Sequence, residues 1–429
     1  MHAELLAIGS ELTQGHTVNT NAAYLARRLG ELGIAVTRQV VVADDRTAIV
    51  ESLRAALDHS DLVITTGGLG PTFDDLTVEA IADATNRPLA TRPEVARAIR
   101  TFYRRHRRRL NRLALRQACL PVGALALPNP VGTAPGVWLP LDLPAPRLGV
   151  QRAARQAGGA LLVALPGVPR EMQAIMEDSV LPRLRRRTGR PSIASRTIRT
   201  VGLVELQIQA VLRQLSIPAF VQVGLYPHLG AVDVRLTATG TPQQRALRTL
   251  NRLERALRRR LGSAVYGLDE QMLEGVVGEA LARQHKTLAV AESCTGGLVS
   301  DRITNVPGSS RYFLLSVVVY GNRMKETLLG VASSLLARHG AVSAPVAAAM
   351  AQGVRKQADS AIGLAITGIA GPTGATPNKP VGLVYLALAD RRRNAVKRCH
   401  FRGDRVAIKY QASQAALDWL RRWVLGLVD

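Results

Sequence analysis

A chain of 429 residues with 47% hydrophobic content is too long for one ordinary core and too apolar for a disordered chain, so two or three α/β domains are expected. No run of 18 uncharged apolar residues occurs, and the start lacks a basic-then-apolar signal pattern, which sets aside a membrane span and gives a cytoplasmic protein as the expectation. The formal net charge is +24, but only six of the 56 basic residues are lysine: Lys286, Lys325, Lys356, Lys379, Lys397 and Lys409. An arginine skew of this kind reads as compositional bias at exposed positions, so nucleic-acid binding is the less favoured reading. A lysine kept in such a chain points to a position that needs an amine able to lose its proton. Cys119, Cys294 and Cys399 lie far apart, without disulfide or zinc spacing.

Residues 4–8 read as a buried strand ending at Gly9-Ser10-Glu11. In the helix that follows, Leu25, Leu29 and Leu32 share one face, and Gly33 is its stop. Residues 34–42 form a second strand, 46–58 a second helix through Ile49, Leu53 and Leu57, and 62–65 a third strand. The alternation gives a parallel sheet with helices on both faces. The third strand runs into Thr65-Thr66-Gly67-Gly68-Leu69-Gly70-Pro71-Thr72-Phe73-Asp74-Asp75-Leu76-Thr77. Glycines at the carboxyl end of a strand let a ligand approach the backbone where open α/β sheets bind ligands. Gly67, Gly68, Gly70, Pro71, Thr72 and Asp75 are therefore candidate nucleotide contacts. The segment is neither a Walker loop nor a dinucleotide fingerprint. Asp74 and Asp75 could hold a divalent metal against a phosphate; the alternative is that they cap the next helix.

Residues 97–116 hold nine arginines and no acid around Ile99, Phe102, Leu110 and Leu113, which predicts an amphipathic helix with a solvated basic face. Residues 121–137 carry too much Pro and Gly for a helix. They predict a strand, then a fixed loop with Gly132 and Thr133 that closes over a ligand. Residues 140–159 read as a surface excursion, and 161–165 as a buried strand broken by Pro166-Gly167-Val168-Pro169.

On the stretches 65–77, 129–136 and 165–172, residues 1–170 resemble the molybdopterin-binding-type domain that opens the CinA (competence/damage-inducible) family. The resemblance implies a metal-dependent ADP-ribose pyrophosphatase activity here. The family usually opens with Gly-Asp-Glu where this chain has Gly9-Ser10-Glu11, so the implied metal set of Glu11, Asp74 and Asp75 is one acid short. Residues 171–265 show no catalytic constellation. A helical pattern over 173–184 precedes short strands at 196–202, 219–224 and 231–239. Leu247, Leu250, Leu253, Leu257 and Leu261 then mark a helix over 243–261. The family has a KH-like module here; the GxxG loop that clamps RNA in such modules is absent, which favours a spacer or dimerisation role.

A helix over 271–284 leads to the apolar strand 287–291, which stops at Glu292-Ser293-Cys294-Thr295-Gly296-Gly297 before another helix. Such a turn presents a hydroxyl and backbone N–H groups at a helix start. Ser293 is thus the first nucleophile candidate, with Thr295, Gly296 and Gly297 as oxyanion donors; a plain helix cap is the alternative. Cys294 ranks second, its side chain pointing away. Residues 314–320 form a strand ending in Tyr320-Gly321-Asn322-Arg323-Met324-Lys325, and an Ala-rich helix covers 345–358. Strand 362–367 precedes Gly368-Ile369-Ala370-Gly371-Pro372-Thr373-Gly374, and Asn378-Lys379-Pro380 precedes strand 381–388. Gly-rich turns after several buried strands converge on a pocket, which makes Asn322, Thr367, Gly368, Gly371, Thr373 and Lys379 candidate substrate contacts. Hydrolysing an amide needs a nucleophile, a base and oxyanion donors. No histidine adjoins these turns, so Lys325 is the base, provided that desolvation or a nearby cation lowers its pKa from the usual ~10.4. Tyr320 would orient the lysine or relay a proton.

The stretches 292–297, 320–325, 367–372, 379–382 and 401–405 make this third domain similar to the CinA C-terminal domain, the nicotinamide-nucleotide amidohydrolase family. The resemblance implies deamidation of nicotinamide mononucleotide to nicotinate mononucleotide with release of ammonia, Ser293 and Lys325 carrying catalysis without a cofactor. Gly321 stands where Ser is common, and Gly374-Ala375 where Gly-Gly is common. The expectation is therefore an α/β chain: two parallel-sheet domains, 1–170 and 270–429, joined by a small α+β KH-like domain, 171–265. Its partners would be nucleotide substrates and a second copy in a homodimer, with no membrane. Two alternatives remain: a non-catalytic pterin- or nucleotide-binding protein, and a competence-related DNA-associated factor with steeply salt-dependent binding.

Overall fold

The computed structural model describes residues 1–107, 109–141, 159–188 and 193–427. Most of the excursion expected at 140–159 lies outside the described residues. The chain forms two compact units, 1–193 and 194–429.

In the first unit the chain runs β1 (His2–Ile8), α1 (Ser10–Thr13), α2 (Thr20–Glu31), β2 (Ala35–Val42), α3 (Arg46–His59), β3 (Leu62–Thr66), α4 (Thr77–Thr85), β4 (Leu89–Thr91) and α5 (Pro93–Arg105). It continues through β5 (Cys119–Pro121), β6 (Leu125–Leu127), β7 (Gly136–Leu141), β8 (Ala160–Leu165), α6 (Pro169–Ile175) and α7 (Leu181–Thr188). Among the described residues, six strands make one sheet in the order β2-β1-β3-β8-β7-β6. β3 and β8 are buried at every position because helices cover both faces. Alternate residues serve the two cores. Leu6, Ile8, Val63 and Leu162 pack with Ile49, Leu53 and Ile81, while Leu5, Ile64 and Val163 pack with Leu25 and Leu29.

Three expectations change here. The sheet is mixed, since β7 runs antiparallel to β8 and to β6. The basic helix stops at Arg105 instead of reaching 116, and Arg107 adopts a left-handed φ of 52°. The helix expected over 173–184 as the start of the middle domain belongs to the first unit, because Met172, Ile175, Met176, Val180, Leu181 and Leu184 complete the Leu25–Leu29 core.

The second unit opens with β9 (Ala194–Val201), α8 (Glu205–Leu212), β10 (Val221–His228), β11 (Ala231–Ala238), α9 (Gln243–Leu261) and β12 (Val265–Leu268). These strands form an antiparallel sheet in the order β10-β11-β9-β12. Its core joins Ile198, Val234 and Leu236 to Leu250, Leu253 and Leu257 of α9. Next come α10 (Leu273–Arg283), β13 (Leu288–Glu292), α11 (Leu298–Thr304), β14 (Phe313–Val318), α12 (Asn322–Leu329), α13 (Ser333–His339) and α14 (Ala344–Gln357). The chain then closes with β15 (Ile362–Gly368), β16 (Leu383–Ala389), β17 (Asn394–His400) and α15 (Arg405–Val424). The sheet order is β14-β13-β15-β16-β17; the first three strands are parallel, β16 is antiparallel to β15 and β17 antiparallel to β16, so this sheet, expected to be parallel, is mixed as well. The loop from 369 to 382 turns the chain straight back, without the crossover helix that a parallel neighbour would need.

The two faces of this sheet differ in side-chain size. Leu288, Val290, Leu364, Ile366 and Leu386 face Ile408, Leu417 and Leu420 of α15. Ala289, Ala291, Ala365, Ala387 and Ala389 face α14 instead. Small strand residues let α14 lie close, and Gly353 within it continues the approach: a Cβ there would stand 2.1 Å from the Leu329 carbonyl oxygen of α12. α12 therefore rests directly on α14.

Candidate active site

Glu292 ends β13 with none of its surface exposed. Its Oε2 accepts from the amides of Gly297 (3.0 Å) and Val299 (3.2 Å), and its Oε1 from the Ser300 amide (2.8 Å) and hydroxyl (2.5 Å). A carboxylate thus fills the positive end of α11, where unpaired amides favour a negative charge. The expected oxyanion donors change accordingly. The Gly297 amide belongs to Glu292, and the Gly296 amide donates to the Ser293 carbonyl at 3.1 Å. Thr295 is fully buried, with its hydroxyl unpartnered. Ser293 is 8% exposed, and its amide extends the sheet ladder to the Ile366 carbonyl at 2.9 Å.

Lys325 enters from α12 and is 1% exposed. Its Nζ lies 2.8 Å from the Val319 carbonyl oxygen, 3.2 Å from that of Tyr320 and 3.4 Å from Ser293 Oγ. No carboxylate among the described residues pairs with it. Burial holds its pKa below the ordinary lysine value. Burial likewise pushes the Cys294 thiol up to about 12, which keeps it protonated and poorly nucleophilic at neutral pH.

Around this pair the expected contacts divide. Tyr320 holds the lysine through its carbonyl; its ring is 60% exposed, and its hydroxyl accepts from Arg405 Nη2 at 2.6 Å. The expected phenol relay to the lysine therefore does not form. Arg405 Nη1 also donates to the Gly371 carbonyl at 2.6 Å, which ties the 320 and 371 turns together. The Thr367 hydroxyl donates to the Ala341 carbonyl (2.9 Å) and Lys379 Nζ to that of His339 (2.7 Å), so both brace the 339–341 loop. Asn322 and Thr373 are exposed. Gly368 admits the Leu383 carbonyl oxygen, 2.7 Å from where its Cβ would stand. Sequence reasoning missed Glu292 and Arg405 as site residues. For Glu292 a signal existed: an acid ending a wholly apolar strand is costly unless several donors meet it.

In the first unit Gly67 (φ 108°) and Gly68 (φ 64°) press against the Ile8 carbonyl and the Thr77 hydroxyl. Asp75 neither caps α4 nor faces outward. It accepts from the amides of Gly70 (2.7 Å) and Thr72 (2.8 Å) and from the Thr72 hydroxyl (2.5 Å), and Asp74 also accepts from that hydroxyl. Glu11 lies against Gly9 instead. Ser10, where an acid was expected, exchanges bonds with Asp44. Among the described residues no three His, Cys, Asp or Glu side chains gather as metal ligands. Glu11, Asp74 and Asp75 are thus not gathered into one ligand set among the described residues. Gly132 and Thr133 sit on a loop pinned by Asn129, which accepts from the Val131 and Gly132 amides and donates to Glu171 at 2.6 Å. They border a cavity of about 400 Å³ with Phe102, Tyr103, His106 and Glu171. A second cavity of about 560 Å³ shares Tyr103 and is lined by Pro71, Thr72, Phe73, Asp74 and Arg116.

Comparison with known proteins divides the chain in three. Residues 4–186 match the probable molybdopterin binding domain, 195–267 the damage-inducible protein CinA KH domain, and 270–424 the CinA C-terminal domain. A CinA-like protein of Salinibacter ruber is 44% identical over 424 residues, 98% of this chain and 99% of that protein. A putative competence-damage inducible protein of Moorella thermoacetica is 43% identical, over 98% of each chain. A crystal structure of the protein CinA from Thermoplasma acidophilum, titled as of unknown function, is 36% identical over 41% of this chain and 94% of its own, with a TM-score of 0.35. With full-length relatives at this identity and all three domains matched, the chain belongs to the CinA family.

Proposed function

We propose that the second unit hydrolyses the carboxamide of a nicotinamide nucleotide, converting nicotinamide mononucleotide and water to nicotinate mononucleotide and ammonia. The arrangement of acceptors around Lys325 carries this reading. A neutral amine has two N–H bonds and one lone pair. The Val319 and Tyr320 carbonyls take the two N–H bonds. The lone pair is left for the Ser293 hydroxyl proton, so the base is aimed by its own satisfied donors. Burial favours that neutral form.

In this reaction Ser293 Oγ attacks the amide carbon while Lys325 takes its proton. The tetrahedral intermediate collapses, the C–N bond breaks, and the lysine proton leaves with nitrogen as ammonia. Water, deprotonated by the same lysine, then cleaves the acyl-serine ester. With Gly296 and Gly297 engaged inside the turn and the Cys294 amide directed at its own thiol, the Thr295 amide is the turn's donor for the oxyanion. The substrate is a small nucleotide, and the step uses no cofactor.

The first unit reads as a nucleotide- or pterin-binding module, on its two cavities flanking Tyr103. Metal-dependent diphosphate cleavage is not part of this reading, because the Asp75 oxygens are committed to the loop. No helix among the described residues is long and apolar enough to cross a membrane.

The test is ammonia release from nicotinamide mononucleotide by the full chain and by Ser293→Ala. Turnover that falls by about 10⁴ or more in the variant is expected, as for other serine hydrolases stripped of their nucleophile. A wild type that releases no ammonia, or a variant that matches it, would overturn the assignment.

A further inference from the structure

Two lysines flank the Ser293 turn, and only one is spent. Lys325 Nζ is engaged by the Val319 and Tyr320 carbonyls and by Ser293 Oγ. Lys409, on α15, places its Nζ 3.4 Å from where a Cβ of Gly296 would stand. It is half-buried, and no acceptor or ion pair among the described residues engages it. Arg405, one turn earlier on the same helix, is consumed by Gly371 and Tyr320. Asp404, the acid at the start of α15, is held by the Ala407 amide at 2.8 Å. An ammonium drawn partly out of water with no partner is unfavourable, and an arriving anion would relieve it. Gly296 has φ 65°, and among the described residues Lys409 is the one side chain that a Cβ there would meet within 4 Å.

We infer that Lys409, beside the glycine turn at 296–297, is an anion subsite that takes the phosphate monoester of the substrate and so separates nucleotides from nucleosides. Lysine suits this task as a compact point charge that needs no fixed fork geometry. The inference rests on the amidohydrolase reading for its substrate, but not for the existence of the anion site.

The test uses the full chain as wild type, Lys409→Met and Lys409→Arg. Ammonia release is measured from nicotinamide mononucleotide and from nicotinamide riboside, which lacks the phosphate. Lys409→Met should raise KM for the mononucleotide about tenfold or more, the size of a lost charge-assisted hydrogen bond. KM for the riboside should stay as it was, and Lys409→Arg should recover most of the loss. Equal changes for both substrates, or no change for either, would overturn the subsite. Calorimetric titration with inorganic phosphate covers the case in which neither substrate is hydrolysed. Binding that disappears in Lys409→Met and persists in Lys409→Arg then supports the anion site on its own. Absent binding, or binding that Lys409→Met leaves intact, overturns it.

Discussion

Two glycine-rich turns occupy the same place in their sheets, one after β3 and one after β13, and each is closed by a carboxylate that accepts from backbone amides. After β3, Asp75 holds Gly70 and Thr72; after β13, Glu292 holds Gly297, Val299 and Ser300. Their hydroxyls differ. Thr66, at the end of β3, donates to the Pro166 carbonyl and accepts from Asn21, so its proton is already committed. Ser293 instead faces an amine whose other neighbours are carbonyls. The glycines make room in both turns, but only one has a buried ionisable group with neutral partners. Such a group, more than the glycines, marks a candidate site.

The sharpest way to break this contrast is Lys325→Arg, which keeps the charge and removes the ability to shed it. Loss of ammonia release by about 10³ or more is expected, the size of a lost general base. With the proposed base neutral in its working form, kcat/KM should rise with pH through the Lys325 titration. That rise falls below the usual lysine value of ~10.4, because burial lowers the folded pKa. A profile that falls across this range would remove Lys325 as the base.

Stability tests the two carboxylates. Glu292→Ala removes the acceptor of three backbone amides, one buried and two part-buried, and should cost about 2–4 kcal/mol, against about 1 kcal/mol for Asp75→Ala in its more open loop. Hydrogen exchange at the amides of 297–300 and of 70 and 72 reads each loss locally. Equal losses would erase the distinction between the turns. The smallest effect belongs to Cys294→Ala. A thiol pushed up to about 12 holds no useful thiolate, so ammonia release should stay within about threefold of wild type. A fall matching that of Ser293→Ala would move the nucleophile to the neighbouring residue.

Much of this was legible in the chain. Buried strands announce themselves as apolar runs, and helices by the spacing of Leu25 and Leu29 or of Leu250, Leu253 and Leu257. Ser293 stood out by its place at a strand end, and Lys325 by the absence of any nearby histidine. Strand direction was not legible, since a run covered on both faces reads alike in parallel and antiparallel pairing. The Asp75 role was hidden for a related reason: in a polar loop, sequence gives a carboxylate's position but not whether it turns toward its own backbone. Arg405 reaches Tyr320, and Lys409 lies beside Gly296, across more than 80 residues of chain that no local spacing connects.

The place of α15 in the chain carries a consequence for how the protein is made. It supplies Ile408, Ala412, Leu417 and Leu420 to one face of the sheet and brings Arg405 and Lys409 to the mouth of the turn. On the ribosome, β13, α12 and α14 emerge long before it, so the serine and the amine are synthesised while half of the sheet still lies open to water. The apolar face of β13, β15 and β16 must wait for this helix, and Arg405 and Lys409 reach their turns in the same docking event. Folding of the domain and completion of its site are thus one step in time.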